Sequence, residues 1–181
     1  MRQCVFTLVI TLVVVVSSLL SGCGYSLAGR GDFLPAHIKS IGIPTFENLT
    51  DRHDIEEIFT QKVVEEFASR GKYVVRSEDV GVDAVLSGQV TAFQVVPAVL
   101  ESGEDVTADQ AARYTVVVRA SVVFMDKIED TEIWSDASFS FRDEYEVGED
   151  AEQYFDQEGM ALDRLAEEFA KTLVSRILEA F

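Results

Sequence analysis

The sequence predicts an α/β (α+β) two-layer sandwich: a mixed sheet of four to five strands with two helices packed on one face. Three observations predict it. Two long stretches, Tyr114 to Met125 and Ile133 to Val147, alternate apolar and polar residues, so each has one apolar face. Two other stretches, Ile55 to Arg70 and Glu152 to Phe181, repeat apolar residues at helical spacing. The order is β-α-β-β-β-β-α, so two helices are available to cover one side of one sheet. The other side stays more polar and faces solvent or a partner.

Each element follows from its residues. Ile38 to Phe46 reads as a strand, with Ile41 and Ile43 on one side. Pro44 lacks a backbone donor, so the strand ends near it or lies at an edge. Asn48, Thr50, Asp51 and Asp54 then give a turn with helix-start chemistry. Asn48-Leu49-Thr50 is a glycosylation sequon on paper, but turn and cap is the preferred reading. Ile55, Ile58, Phe59, Val63 and Phe67 form the stripe of an amphipathic helix, and Gly71 supplies its C-terminal cap. Lys72 to Arg76 is a short strand, which merges with or breaks from the next. From Ala84 to Val96 the predicted apolar face is Ala84, Leu86, Gly88, Val90 and Ala92, and Gly88 leaves room for a close-packed helix. Residues 97–112 form an acidic loop. In the next two strands the apolar sets are Tyr114, Val116, Val118, Ala120, Val122 and Phe124, then Ile133, Ala137, Phe139, Phe141, Tyr145 and Val147. These aromatic positions and Trp134 read as core rather than as a ligand platform. The last helix is striped by Leu162, Leu165, Phe169, Leu173 and Ile177.

The N-terminus is organised differently. A short basic start precedes a long apolar run to Gly22, with a cysteine at the junction. Apolar length alone leaves a cleaved secretory signal and a retained transmembrane anchor about equal. The junction Leu20-Ser21-Gly22-Cys23 decides for a lipoprotein signal: small residues fit the peptidase site before the cut, and the thiol after it takes the lipid. The expected organisation is therefore a signal peptide over residues 1–22, a lipidated N-terminus and tether over 23–37, and one domain over 38–181. Cleavage removes Cys4 and leaves Cys23 alone, so the mature chain has no thiol pair for a disulfide. A diacylglycerol thioether plus an N-acyl chain on Cys23 anchors stably where a single chain is marginal. Arg30-Gly31-Asp32 lies in the tether and reads as flexible loop.

The formal charge of the chain is −17, and about −18 once Arg2 leaves with the signal. That argues against nucleic acid and against adsorption to anionic lipid. No cofactor and no metal is expected. His37 and His53 are separate loop histidines, read as exposed, and lack the converging ligands of a zinc site. No GxSxG elbow is present. Glu56-Glu57, Glu65-Glu66 and Glu167-Glu168 are sequence neighbours on helices, hence about 100° apart, and read as solvated faces rather than acid/base pairs. Catalytic residues: none are assigned, and the protein is read as not an enzyme.

The run CGYSLAGRGDFLPAHIKSIGIPTFENLT resembles the start of the LPS-assembly lipoprotein family, the LptE-like proteins. IFTQKVVEEFASRGKYVV and DAVLSGQVTAF are similar to the family's first helix and following strands. The resemblance implies a small sandwich of two helices on a sheet. It implies a lipid-anchored subunit at the periplasmic face of the outer membrane, partnered by an LptD-like β-barrel of the lipopolysaccharide translocon. There the subunit docks, stabilises the barrel and assists lipopolysaccharide assembly at the cell surface. Cys23 carries over as the lipidation site; Gly24 rather than aspartate follows it, so inner-membrane retention is not signalled in enteric-type sorting. Lipopolysaccharide is itself a candidate ligand. Arg119 points to the polar sheet face by parity, and Arg113 and Lys127 stand at the ends of the same strand, so these three are the candidate lipopolysaccharide-binding residues. The acidity of the domain favours a barrel plug over direct binding.

The alternative function is an outer-membrane lipoprotein that regulates a peptidoglycan synthase or another envelope assembly machine. Such a protein needs a long stalk, whereas the tether from Cys23 to Ala36 reaches at most roughly 50 Å. A periplasmic hydrolase is the third and least supported reading.

Overall fold

Pro44 breaks the first strand as its missing donor requires, and the chain resumes pairing beyond it. In the computed structural model, the described residues are 34–70, 72–98, 113–146 and 151–179, with the side chains of 151–155 left aside. β1 (Ser40–Gly42) and β2 (Glu47–Asn48) both run parallel to β4 (Ala84–Pro97), at Ala84–Val85 and at Gln89–Val90. They are two pieces of one interrupted strand. Between them and β3 (Val74–Arg76) lies α1 (Ile55–Ser69), and β3 pairs parallel with β1 on its outer side. β5 (Arg113–Asp126) and β6 (Thr131–Glu146) complete an antiparallel meander with β4. α2 (Ala151–Leu178) follows. The sheet order is β3-β1-β4-β5-β6, with β2 beside β4. The sheet is mixed and two-layered as expected, with six strands among the described residues, because Pro44 splits one strand and Val74–Arg76 stands as a separate one.

Both helices cover the same side. Ile55, Phe59, Val63 and Phe67 of α1 are fully buried, as are Leu165 and Leu173 of α2, with Leu162, Phe169 and Ile177 beside them. Lys62 reaches Asp163 at 2.8 Å and Arg70 reaches Ser175 at 3.4 Å, so the helices run parallel. Phe169 is the hub of the interlayer: its ring lies 5.0 Å from Phe59, 5.2 Å from Phe139 and 5.6 Å from Phe141, in edge-to-face arrangements.

Three bulges set which face each residue occupies. On β4, Thr91 is an extra residue between the Val90–Ala120 and Ala92–Arg119 pairs. The alternation therefore flips: Phe93 and Val95 continue the buried face, and Ala92 goes to the open face, contrary to the sequence expectation. On β6, Ala137 and Ser138 together oppose Ser121, and Ile133 is extra between Trp134 and Glu132. Trp134 thus joins Phe139 on the helix side, at 6.1 Å, while Ala137 is exposed instead of buried. Val147 lies outside the described residues. A bulge displaces one residue from the ladder and exchanges the faces beyond it.

Two glycines are required by close approach. A Cβ at Gly88 would stand 2.6 Å from the Phe46 ring, so the space expected to take a helix takes this ring instead. A Cβ at Gly42 would stand 2.3 Å from the Glu78 carbonyl oxygen, where the 77–82 loop crosses the open face.

Candidate functional site

The F-E-N-L-T stretch is explained by structure. The Asn48 side chain donates to the Arg52 carbonyl (2.7 Å) and to Glu56 (2.8 Å), and accepts from the Thr50 amide (2.9 Å) and hydroxyl (2.8 Å). One asparagine thus folds the connection into α1, while Asp54 precedes the helix with φ 64° and makes no side-chain cap. Arg52, in that connection, pairs with the buried Glu158 of α2 at 3.3 Å and lies over the Phe93 ring.

The three candidate anion-binding residues do not converge. Arg113, at the start of β5, bonds Glu146 at 2.7 Å and stands 3.8 Å from Glu144. The Glu146 hydrogen bond raises the guanidinium pKa and holds this charge locally neutralised. Lys127 is exposed in the β5–β6 turn, and its amide donates to the Asp83 carbonyl at 2.8 Å. About fourteen residue steps along the strand separate the two, about 45 Å at the usual rise. Arg119 is exposed at mid-strand on the open face, as its parity predicts. Its neighbour there is Arg142 of β6: Arg119 pairs with Ser140 and Arg142 with Val117, so the two arginines are diagonal neighbours, about 7–8 Å apart. Neither makes an ion pair among the described residues, so two guanidinium forks share a patch with Ser140 and Gln94, open to an anionic group. Arg142 was legible only as a polar-face residue; its pairing with Arg119 depends on the bulged register.

A second cluster lies at the opposite end from Arg113, which we call the base. Asp83 accepts from the Lys39 amide (2.9 Å), the Ser40 amide (2.8 Å) and the Ser40 hydroxyl (2.8 Å). The Lys39 amide, then the two Ser40 donors, hold its carboxyl below the usual carboxylate range. Asp126 is buried at the end of β5. One oxygen accepts from the Ile128 and Glu129 amides (2.8 and 3.0 Å), the other from His37 Nε2 (2.5 Å). Burial pushes this carboxyl up, but the Glu129 amide, His37 and the Ile128 amide outweigh it and leave it lowered. His37 is therefore a bonded, half-buried residue and not the free loop histidine expected; His53 is exposed. Leu34 and Ile38, on either side of His37, are buried in the core.

The adjacent carboxylates do not form acid/base pairs: Glu56 bonds Asn48, Glu65 accepts from Gln61, Glu66 pairs with Arg70, and Glu167 with Lys171. Among the described residues no group of three or more His, Cys, Asp or Glu is placed to hold a metal ion. No helix among them is long and apolar enough to cross a membrane. Cys23 and residues 1–22 lie outside the described residues.

The fold is shared with several solved structures. A protein from Xanthomonas campestris matches with a TM-score of 0.55 and 12% identity, over 79% of this chain and 85% of its own. The PelC dodecamer subunit from Paraburkholderia phytofirmans matches at 0.51 and 17%, over 86% and 93%. The uncharacterized lipoprotein B of Nitrosomonas europaea matches at 0.50 and 14%, over 87% and 89%. No curated protein matches the chain. A family model described as LptE, lipopolysaccharide-assembly, matches residues 38–177, which include every strand, α1 and all but the last residue of α2. The chain belongs to the LptE family of lipopolysaccharide-assembly lipoproteins, a non-enzymatic family of the cell envelope.

Proposed function

We propose that the mature protein starts at Cys23, carries a diacylglycerol and an N-acyl chain there, and sits at the periplasmic face of the outer membrane. It docks into an LptD-like β-barrel and stabilises that translocon for lipopolysaccharide delivery to the cell surface. The observation that carries this reading is the family match over residues 38–177, and the Leu-Ser-Gly-Cys junction ahead of it supports the anchor. Asn48 and Phe46 order the β1–α1 connection, and Arg119 and Arg142 on the β5–β6 open face are exposed among the described residues, where a partner can reach them. On that face Arg119, with Arg142 beside it, is the best-placed contact for a phosphate-bearing ligand. Arg113 is held by Glu144 and Glu146, and Lys127 stands apart.

The anchor is tested by mass spectrometry of the purified full-length protein. An N-terminal fragment beginning at Cys23 with two O-linked acyl chains and one N-linked chain is the expected result. A Cys23→Ser chain that still fractionates with outer membranes would refute the anchor.

A further inference from the structure

The geometry points to Leu34–Ile38 being a strap that His37 latches onto Asp126, fixing the N-terminal segment to the base of the domain. Three observations carry it. Leu34 and Ile38 are 4% and 3% exposed, so the strap is plugged into the core at both ends. Between them the His37 ring bonds the Asp126 carboxylate, which is 89 residues away in sequence and almost fully buried. The second Asp126 oxygen holds the Ile128 and Glu129 amides, so one carboxylate ties the strap to the β5–β6 turn. The Ile38 amide donates to the Pro35 carbonyl at 2.9 Å, closing the strap on itself.

The latch sets how far the domain stands from its anchor. With the strap seated, the span from Cys23 to Leu34 is about eleven residue steps, at most roughly 40 Å. Release adds five residues, or roughly 17 Å, and frees the base from the segment that leads to the lipid. This consequence rests on Cys23 being the anchor; the latch itself does not, and its test is independent of lipidation.

The test is amide hydrogen exchange on the full chain in detergent, read residue by residue. In His37→Ala the Ile38 amide exchanges about tenfold faster, while Leu86 and Val118 in the central sheet keep their rates. His37→Gln, which retains a side-chain donor, recovers part of the protection. His53→Ala changes nothing. Asp126→Ala accelerates Ile38 and Glu129 together. An Ile38 rate within twofold of wild type in His37→Ala would overturn the latch. So would equal acceleration of Ile38 and the sheet amides, which would mean loss of global stability rather than release of a strap.

Discussion

Replacing Gly88 with alanine tests whether the Phe46–Gly88 contact locks the interrupted first strand to the sheet. The added Cβ would meet three Phe46 ring atoms at 2.6–2.7 Å, where ordinary contact begins near 3.4 Å. The ring must retreat by about 0.8 Å, and it cannot do so freely. Phe46 is 3% exposed, its amide donates to the Thr60 hydroxyl at 2.9 Å, and its ring lies 6.4 Å from the Phe169 hub. Overpacking of this kind costs about 1–3 kcal/mol, and the fixed backbone places Gly88→Ala at about 2–3. Phe46→Ala alone costs about 3–5 kcal/mol through lost burial and a cavity. With the ring gone, the methyl at position 88 has room, so Gly88→Ala in the Phe46→Ala background should cost about zero. Urea denaturation of the four chains of this cycle gives a coupling of about 2–3 kcal/mol. Additive costs, or a neutral Gly88→Ala in the wild-type background, would refute the reasoning.

Two further outcomes follow from the connections. Asn48→Ala removes two donors and an acceptor from the β2–α1 turn and should cost about 1–3 kcal/mol in urea denaturation; a change under about 0.5 would show that the turn holds without it. Asp83 and Asp126 have folded pKa values below their unfolded ones, so their stabilisation is present above the ordinary carboxylate pKa near 3.8 and is lost as pH falls through the lowered values. Denaturation midpoints measured from about pH 7 down to about pH 2 should therefore fall once the pH drops below 3.8, and Asp83→Asn should be less stable at about pH 7 with a shallower acid decline; parallel curves would contradict this.

Periodicity made the helices legible. Ile55, Phe59, Val63 and Phe67, and the Leu162-to-Ile177 stripe, are buried as their spacing predicts, because a helix keeps its phase along its length. Strands keep phase only until a bulge, and no glycine or proline marks the bulges at Thr91 and Ala137-Ser138. Simple alternation therefore predicts Ala92 and Ala137 on the apolar face, whereas the bulges turn them away from it. Pro44 signalled the break in the first strand, but pairing of Glu47–Asn48 beyond it depends on Val90 and on the Asn48 turn. His37 gave no local sign of its partner, since Asp126 is brought to it only by the sheet order. Arg119 was legible by parity, whereas Arg142 became its neighbour through the β5–β6 register.

Purification of the full-length, lipidated protein from outer membranes in mild detergent, followed by mass spectrometry and mass determination of the complex, tests the central claim most directly. The expected result is one copy bound to one large outer-membrane β-barrel, and loss of that barrel's assembly and of surface lipopolysaccharide when the lipoprotein is depleted. A lipoprotein recovered alone, or bound to a peptidoglycan synthase, with barrel assembly intact in its absence, would contradict it.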